Sequence, residues 1–89
     1  MINYVAVFSK EFKKELHKLS PEDLKKVLKK VKVLENNPFY PSLRTRKMEG
    51  NSGYYESRVN NDIRLLWEFE GDKIILMADV GHHDVYKKY

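Results

Sequence analysis

The chain has 89 residues, no cysteine, and 17 Lys+Arg against 13 Asp+Glu, a formal net charge of +4. This length holds one domain, residues 1–89, around one core. The missing thiols exclude disulfides, cysteine nucleophiles and cysteine-based zinc sites, and they fit a reducing cytoplasm.

A hydrophobic content of 42% with 12% aromatics is too high for a disordered tail. No apolar run approaches the roughly 18 residues of a membrane span, and no leader pattern opens the chain, so neither a membrane role nor secretion is expected. The charge is unevenly spread. Residues 10–47 hold 12 Lys/Arg and 5 Asp/Glu, a balance of +7, whereas residues 48–89 hold 5 and 8, a balance of −3. Such asymmetry points to a polyanion or an acidic protein as partner.

Residues 3–8, Asn-Tyr-Val-Ala-Val-Phe, are β-branched and aromatic and predict a strand. Ser9 is a natural N-cap for a helix whose apolar stripe is Phe12, Leu16 and Leu19. Ser20-Pro21-Glu22-Asp23 starts a second helix: Ser caps, Pro takes the first turn, and the acids sit at the positive end of the dipole. Its stripe is Leu24, Val27, Leu28, Val31 and Leu34, and Asn36-Asn37-Pro38 ends it. Almost nothing separates the two helices, so they form an αα-hairpin. Residues 37–53 carry Pro38, Pro41, Gly50 and Gly53 and are expected to be a loop presenting Arg44, Arg46 and Lys47.

The last third reads as β. Residues 54–59 form a strand with Tyr55, Ser57 and Val59 on one face and Tyr54, Glu56 and Arg58 on the other. Asn60-Asn61-Asp62 is turn chemistry, and residues 63–70 follow with Ile63, Leu65, Trp67 and Phe69 alternating against Arg64, Leu66, Glu68 and Glu70. Gly71-Asp72 makes a hairpin turn into residues 73–80, a nearly all-apolar central strand. The expected class is α+β: an N-terminal strand, a two-helix hairpin, then three further strands in a mostly antiparallel sheet.

Short-turn pairing sets Glu56, Arg58 and Arg64 on one sheet face, where the arginines suit a phosphate or pair with Glu56 or Glu68. His82-His83-Asp84 follows the last strand, where a rigid element fixes groups that a loop exposes; neutral imidazole works as base or acid near pH 7. Adjacent histidines diverge in extended backbone and no third lies nearby, so no metal or cofactor is expected. Tyr86 can stack on a base or donate to a phosphate. Metal-free RNA cleavage needs a base for the 2′-OH, cations for the charged transition state and an acid for the leaving 5′-oxygen. Arg58, Arg64, Lys47, the His82-His83 pair and Tyr86 supply all three if they converge.

Val5 to Phe12, the exit Leu34…Asn37-Pro38, Lys47-Met48-Glu49-Gly50, Tyr55-Glu56-Ser57-Arg58-Val59, Ile63-Arg64-Leu65-Leu66-Trp67 and Val80-Gly81-His82-His83-Asp84-Val85-Tyr86 occur in the order and spacing of the RelE/ParE superfamily of type II toxins, which the chain resembles nearly end to end. The resemblance implies a RelE-like, ribosome-dependent mRNA endonuclease, held inactive by a cognate antitoxin in a hetero-oligomeric complex. It places Arg64 on the scissile phosphate and matches Arg58, His83 and Tyr86 to further catalytic positions, with His83 or Glu56 as the base. Lys47, Arg44, Arg46 and His82 would bind RNA. Glu56 stands where RelE has lysine. The alternatives are a ParE-like gyrase inhibitor, which the His/Tyr ending disfavours, and a non-toxic antitoxin-binding member.

Overall fold

The computed structural model describes residues 3–50 and 53–77. The elements run β1 (Val5–Phe8), α1 (Lys10–Leu16), α2 (Pro21–Asn36), a 3-10 turn (Pro41–Leu43), β2 (Arg46–Lys47), β3 (Tyr54–Arg58), β4 (Arg64–Glu70) and β5 (Lys73–Leu76). They make a five-stranded sheet of order β1-β5-β4-β3-β2. β1 pairs parallel to β5, and every other pair is antiparallel. Among the described residues no helix is long and apolar enough to cross a membrane.

Both helices start where the serines place them. Ser9 Oγ accepts from the Phe12 amide at 3.0 Å, and Ser20 Oγ accepts from the Asp23 amide at 3.2 Å. Each satisfies an amide that the first helical turn leaves without a carbonyl. Asn37 closes α2: its amide donates to the Val33 carbonyl, and its side-chain oxygen accepts from Phe39. The β3–β4 turn is held by Asn60, whose Oδ1 accepts from the amides of Asp62 and Ile63 at 2.8 and 2.9 Å. At the β4–β5 turn Gly71 takes φ +63, which a side chain would oppose.

The helices cover one face of the sheet. Phe12 from α1 and Val27, Val31 and Leu34 from α2 pack on Leu65 and Trp67 of β4 and Ile74 and Leu76 of β5; Leu43 and Ile63 close the ends. These side chains are those of the predicted stripes and of one parity along each strand. Trp67 stacks on Tyr55 with ring centres 4.8 Å apart, and Phe69 meets Trp67 edge-on at 4.9 Å. Phe39 lies across this cluster from the helix exit.

Residues 37–53 are not wholly loop, as the spacing of Pro and Gly predicted. They contain the 3-10 turn and the two-residue β2, so among the described residues four strands rather than three follow the helices. Two charged residues carry no apolar alternation to betray a strand. Pairing comes from outside: Arg46 opposes Glu56, Lys47 opposes Tyr55, and the Met48 amide reaches the Tyr54 carbonyl at 2.9 Å. The turn that delivers β2 passes through Arg44 at φ +48, a left-handed conformation rarely held by a residue other than glycine.

A hydrogen-bond chain ties this region to the core. Trp67 Nε1 donates to Ser57 Oγ at 2.8 Å, the Ser57 and Thr45 hydroxyls meet at 2.7 Å, and Thr45 Oγ1 donates to the Pro38 carbonyl at 2.5 Å. Indole N–H can only donate and a carbonyl can only accept. Thr45 spends its one proton on Pro38, so Ser57 must donate to Thr45. The chain therefore has one direction, from β4 through β3 and the β2 approach to the helix exit.

β1 is an edge strand, and α2 covers its outer side. The Tyr4 amide donates to the Glu35 carbonyl and the Ala6 amide to the Glu35 carboxylate, each at 2.9 Å. Two outward amides that would attract a foreign strand are thereby engaged.

Replacing Ser57 by Ala removes the middle of the directed chain and leaves the buried Trp67 N–H without its acceptor. Urea unfolding is expected to show a loss of about 1–3 kcal/mol. Adding Trp67→Phe to Ser57→Ala is expected to cost less than the sum of the two single changes, because the orphaned donor goes with the indole.

Candidate functional site

The sheet face opposite the helices carries the other parity of each strand. β3 contributes Glu56 and Arg58, β4 contributes Arg64, and β2 contributes Arg46. The register puts Arg58 directly opposite Arg64, so their Cβ atoms lie about 4.5–5.5 Å apart. Arg46 is opposite Glu56. A four-residue cluster of three guanidiniums and one carboxylate results.

Glu56 organises it. Its Oε1 accepts from Arg64 Nη1 at 3.1 Å and from Arg46 Nε at 3.2 Å. The Glu56 side chain is 8% exposed and that of Arg64 16%, whereas Arg46 is 66% exposed. The first contact is therefore made largely away from water and is the stronger constraint; the second is screened at its solvent end. Two opposed arginines repel each other, and a carboxylate beside them lowers that cost. Arg58 makes no ion pair among the described residues and is partly exposed.

The sequence expectation that Glu56, Arg58 and Arg64 share a face agrees with this geometry. Arg46, expected to bind RNA from a loop, instead joins the same cluster as part of β2. The other expected RNA contacts divide. Lys47 alternates with Arg46 and opposes Tyr55, so it lies on the helix-covered side of the sheet edge. Arg44 is exposed in the turn. The basic run 44–47 is thus spread over both sides of the sheet edge and the turn beside it. His82, His83 and Tyr86 lie outside the described residues, as does the end of the expected strand 73–80 beyond residue 77. Sequence reasoning missed that Glu56 would hold two arginines; the missing signal was the pairing of β2.

Toward the β5–β1 edge the same face mixes apolar side chains with Glu68, Glu70 and Lys73. Leu66 and Ile75 are half-buried, and Val5 and Val7 are exposed.

Neither a family model nor a curated relative matches the sequence. Solved structures do, and they share the fold: they are toxins of the RelE, YafQ, YoeB and ParE kinds. The RelBE2 toxin-antitoxin complex from Mycobacterium tuberculosis superposes with a TM-score of 0.77 at 21% identity, over 92% of this chain and 100% of that one. YafQ from Escherichia coli strain BL21(DE3) gives 0.76 at 17% identity, over 93% and 97%. The YoeB-YefM complex from Staphylococcus aureus gives 0.72 at 21% identity, over 90% and 97%. The architecture is RelE-like, as the resemblance in sequence order implied.

Replacing Glu56 by Ala leaves Arg64 and Arg46 without their shared acceptor. Stability is expected to fall by about 1.5–3 kcal/mol, the range for hydrogen bonds to charged groups. Repeating the denaturation at high salt should recover part of the loss, because screening weakens the exposed arginine repulsion.

Proposed function

We propose that the protein is the toxin of a type II toxin-antitoxin pair and cleaves mRNA on the ribosome. The observation that carries this reading is the cluster itself: Arg58 opposite Arg64, with Glu56 holding Arg64 and Arg46 in place. A rigid sheet presents these cations together, where one phosphodiester and the charge of its transition state can meet them. The toxin-antitoxin neighbours supply the biological class.

In the proposed reaction a base removes the proton of the 2′-OH, and the oxygen attacks the adjacent phosphorus. The bond to the 5′-oxygen breaks, and an acid returns a proton to it. The products are a cyclic 2′,3′-phosphate and a free 5′-OH. Arg64 and Arg58 hold the non-bridging oxygens as negative charge gathers there. Glu56 keeps Arg64 aimed; its Oε1 is already committed to two guanidiniums. That favours His83 over Glu56 as the base, with Tyr86 stacking on a base or steadying the attacking nucleotide. Arg44, Arg46, Lys47 and His82 add contacts to RNA, each phosphate contact being salt-sensitive. The enzyme works in the cytoplasm without a cofactor, and a cognate antitoxin silences it in a hetero-oligomeric complex.

Expression of the wild-type chain is expected to arrest growth and to leave codon-phased breaks in mRNA, read by primer extension. Arg64→Ala should cut the rate by about 10²–10³, as removal of a transition-state donor does. His83→Ala should lower it by about 10²–10⁴. Growth arrest with intact mRNA and stalled supercoiling would replace this reading with gyrase poisoning. Undiminished arrest by both variants would refute the assigned site.

A further inference from the structure

The loop that leaves α2 carries two large aromatics that the core does not absorb. Phe39 is 56% exposed and its neighbour Tyr40 50%. Two adjacent rings in water make a patch, and such patches mark binding surfaces. The loop holds them firmly. The Phe39 amide donates to Asn37 Oδ1, the Tyr40 amide donates to the Asn37 carbonyl, and Thr45 Oγ1 ties the return of the loop to Pro38. The Phe39 ring meets those of Tyr55, Trp67 and Phe69 with centres 5.9, 6.5 and 6.3 Å apart. A ring braced on one side and open on the other is a preformed stacking surface.

Cations surround the rings. Arg44 is exposed and closes the same loop, its amide 3.2 Å from the Pro41 carbonyl. Lys47 is exposed and opposes Tyr55, whose ring touches Phe39. Lys30 reaches over from α2, its Nζ 3.3 Å from Ser42 Oγ. None of the three makes an ion pair among the described residues. Rings interleaved with unneutralised cations suit a strand that offers bases and phosphates in alternation. An acidic protein or a lipid surface would answer the charge equally well; continuity with the arginine cluster selects RNA. Arg46 and Lys47 are consecutive on β2, the last strand of the sheet, and point to opposite sides. Arg46 joins the cluster and Lys47 joins the aromatic loop, so a strand held by the cluster reaches the rings by crossing this one edge.

We propose that Phe39 and Tyr40 form a base-stacking platform for single-stranded RNA, with Arg44 and Lys47 holding the phosphates beside it. The proposal rests on the nuclease reading for the identity of the strand, which is the mRNA, engaged at a nucleotide outside the cleaved step. The rings add affinity without sequence choice, because every base has a π-face.

The probe is a fluorescein-labelled 2′-O-methyl RNA of about twelve nucleotides, whose blocked 2′-oxygens cannot attack. The same backbone without bases is the control. Anisotropy titration of the full-length protein is expected to show the base-bearing strand binding about tenfold or more tighter than the abasic one. Tyr40→Ala and Phe39→Leu should each remove most of that advantage. Both should leave the salt slope unchanged, since a ring is lost and no charge. Arg44→Gln with Lys47→Gln should weaken both strands and lower the slope by about 0.7 per residue. Tyr40→Trp keeps a ring and should retain the advantage. Its emission should be quenched by the base-bearing strand alone, because Trp67 is fully buried. Equal affinity for the two strands, no binding of either, or an undiminished advantage in Tyr40→Ala and Phe39→Leu proteins with unchanged melting curves overturns the proposal. So does a Tyr40→Ala protein that loses binding to phosphatidylglycerol vesicles and keeps its binding to RNA. Codon-phased mRNA breaks without base-dependent binding sink the platform alone; base-dependent binding with intact mRNA sinks the nuclease reading alone.

Discussion

The directed chain from Trp67 through Ser57 and Thr45 to the Pro38 carbonyl is the constraint on which the rest of this structure leans. Each link engages a polar group that burial would otherwise penalise. Four stretches meet in it: the middle of β4, the middle of β3, the approach to β2 and the exit of α2. Without it, two charged residues at 46 and 47 have little reason to stay on the sheet edge. Hydrophobic contact alone would leave that segment free to slide, because nothing apolar marks its register.

Strand geometry then carries this order to the far side. Ser57 and Trp67 point into the core from the same strands whose next residues, Glu56, Arg58, Leu66 and Glu68, point out. A shift of β3 by one residue would exchange its two sets and turn Glu56 and Arg58 into the core. The packing that protects the core therefore also fixes where the guanidiniums stand. Thr45 precedes Arg46, so the link that seats the edge strand also delivers the third arginine to Glu56. The net acidity of the second half of the chain is thus misleading, because local pairing and not the regional balance decides what an anion meets there.

The sequence was informative wherever a repeat period or a side-chain capping chemistry was at work. Phe12 with Leu16, and Val27 with Val31 and Leu34, announced the helix faces. Ser9 and Ser20 announced their starts, and Leu65 and Trp67 announced the core side of β4. The parity that put Arg58 and Arg64 together followed from the same alternation. What stayed hidden was set at a distance. The strand at Arg46–Lys47 exists because β3 offers it partners, and no local pattern encodes that. The same pairing turns Glu56 from a free carboxylate into a bridge between two arginines. The left-handed backbone at Arg44 was equally unreadable, because arginine carries no preference for it.

Glu35, near the end of α2, bonds the amides of Tyr4 and Ala6 through its carbonyl and its carboxylate. A sheet extends from copy to copy only if each copy offers two receptive margins, one to accept the previous strand and one to receive the next. Here a helix has already claimed one margin. Continuous edge-to-edge stacking of this chain is thereby blocked at its first step, and a basic domain with exposed Val5 and Val7 on its edge strand is kept from growing into ribbons.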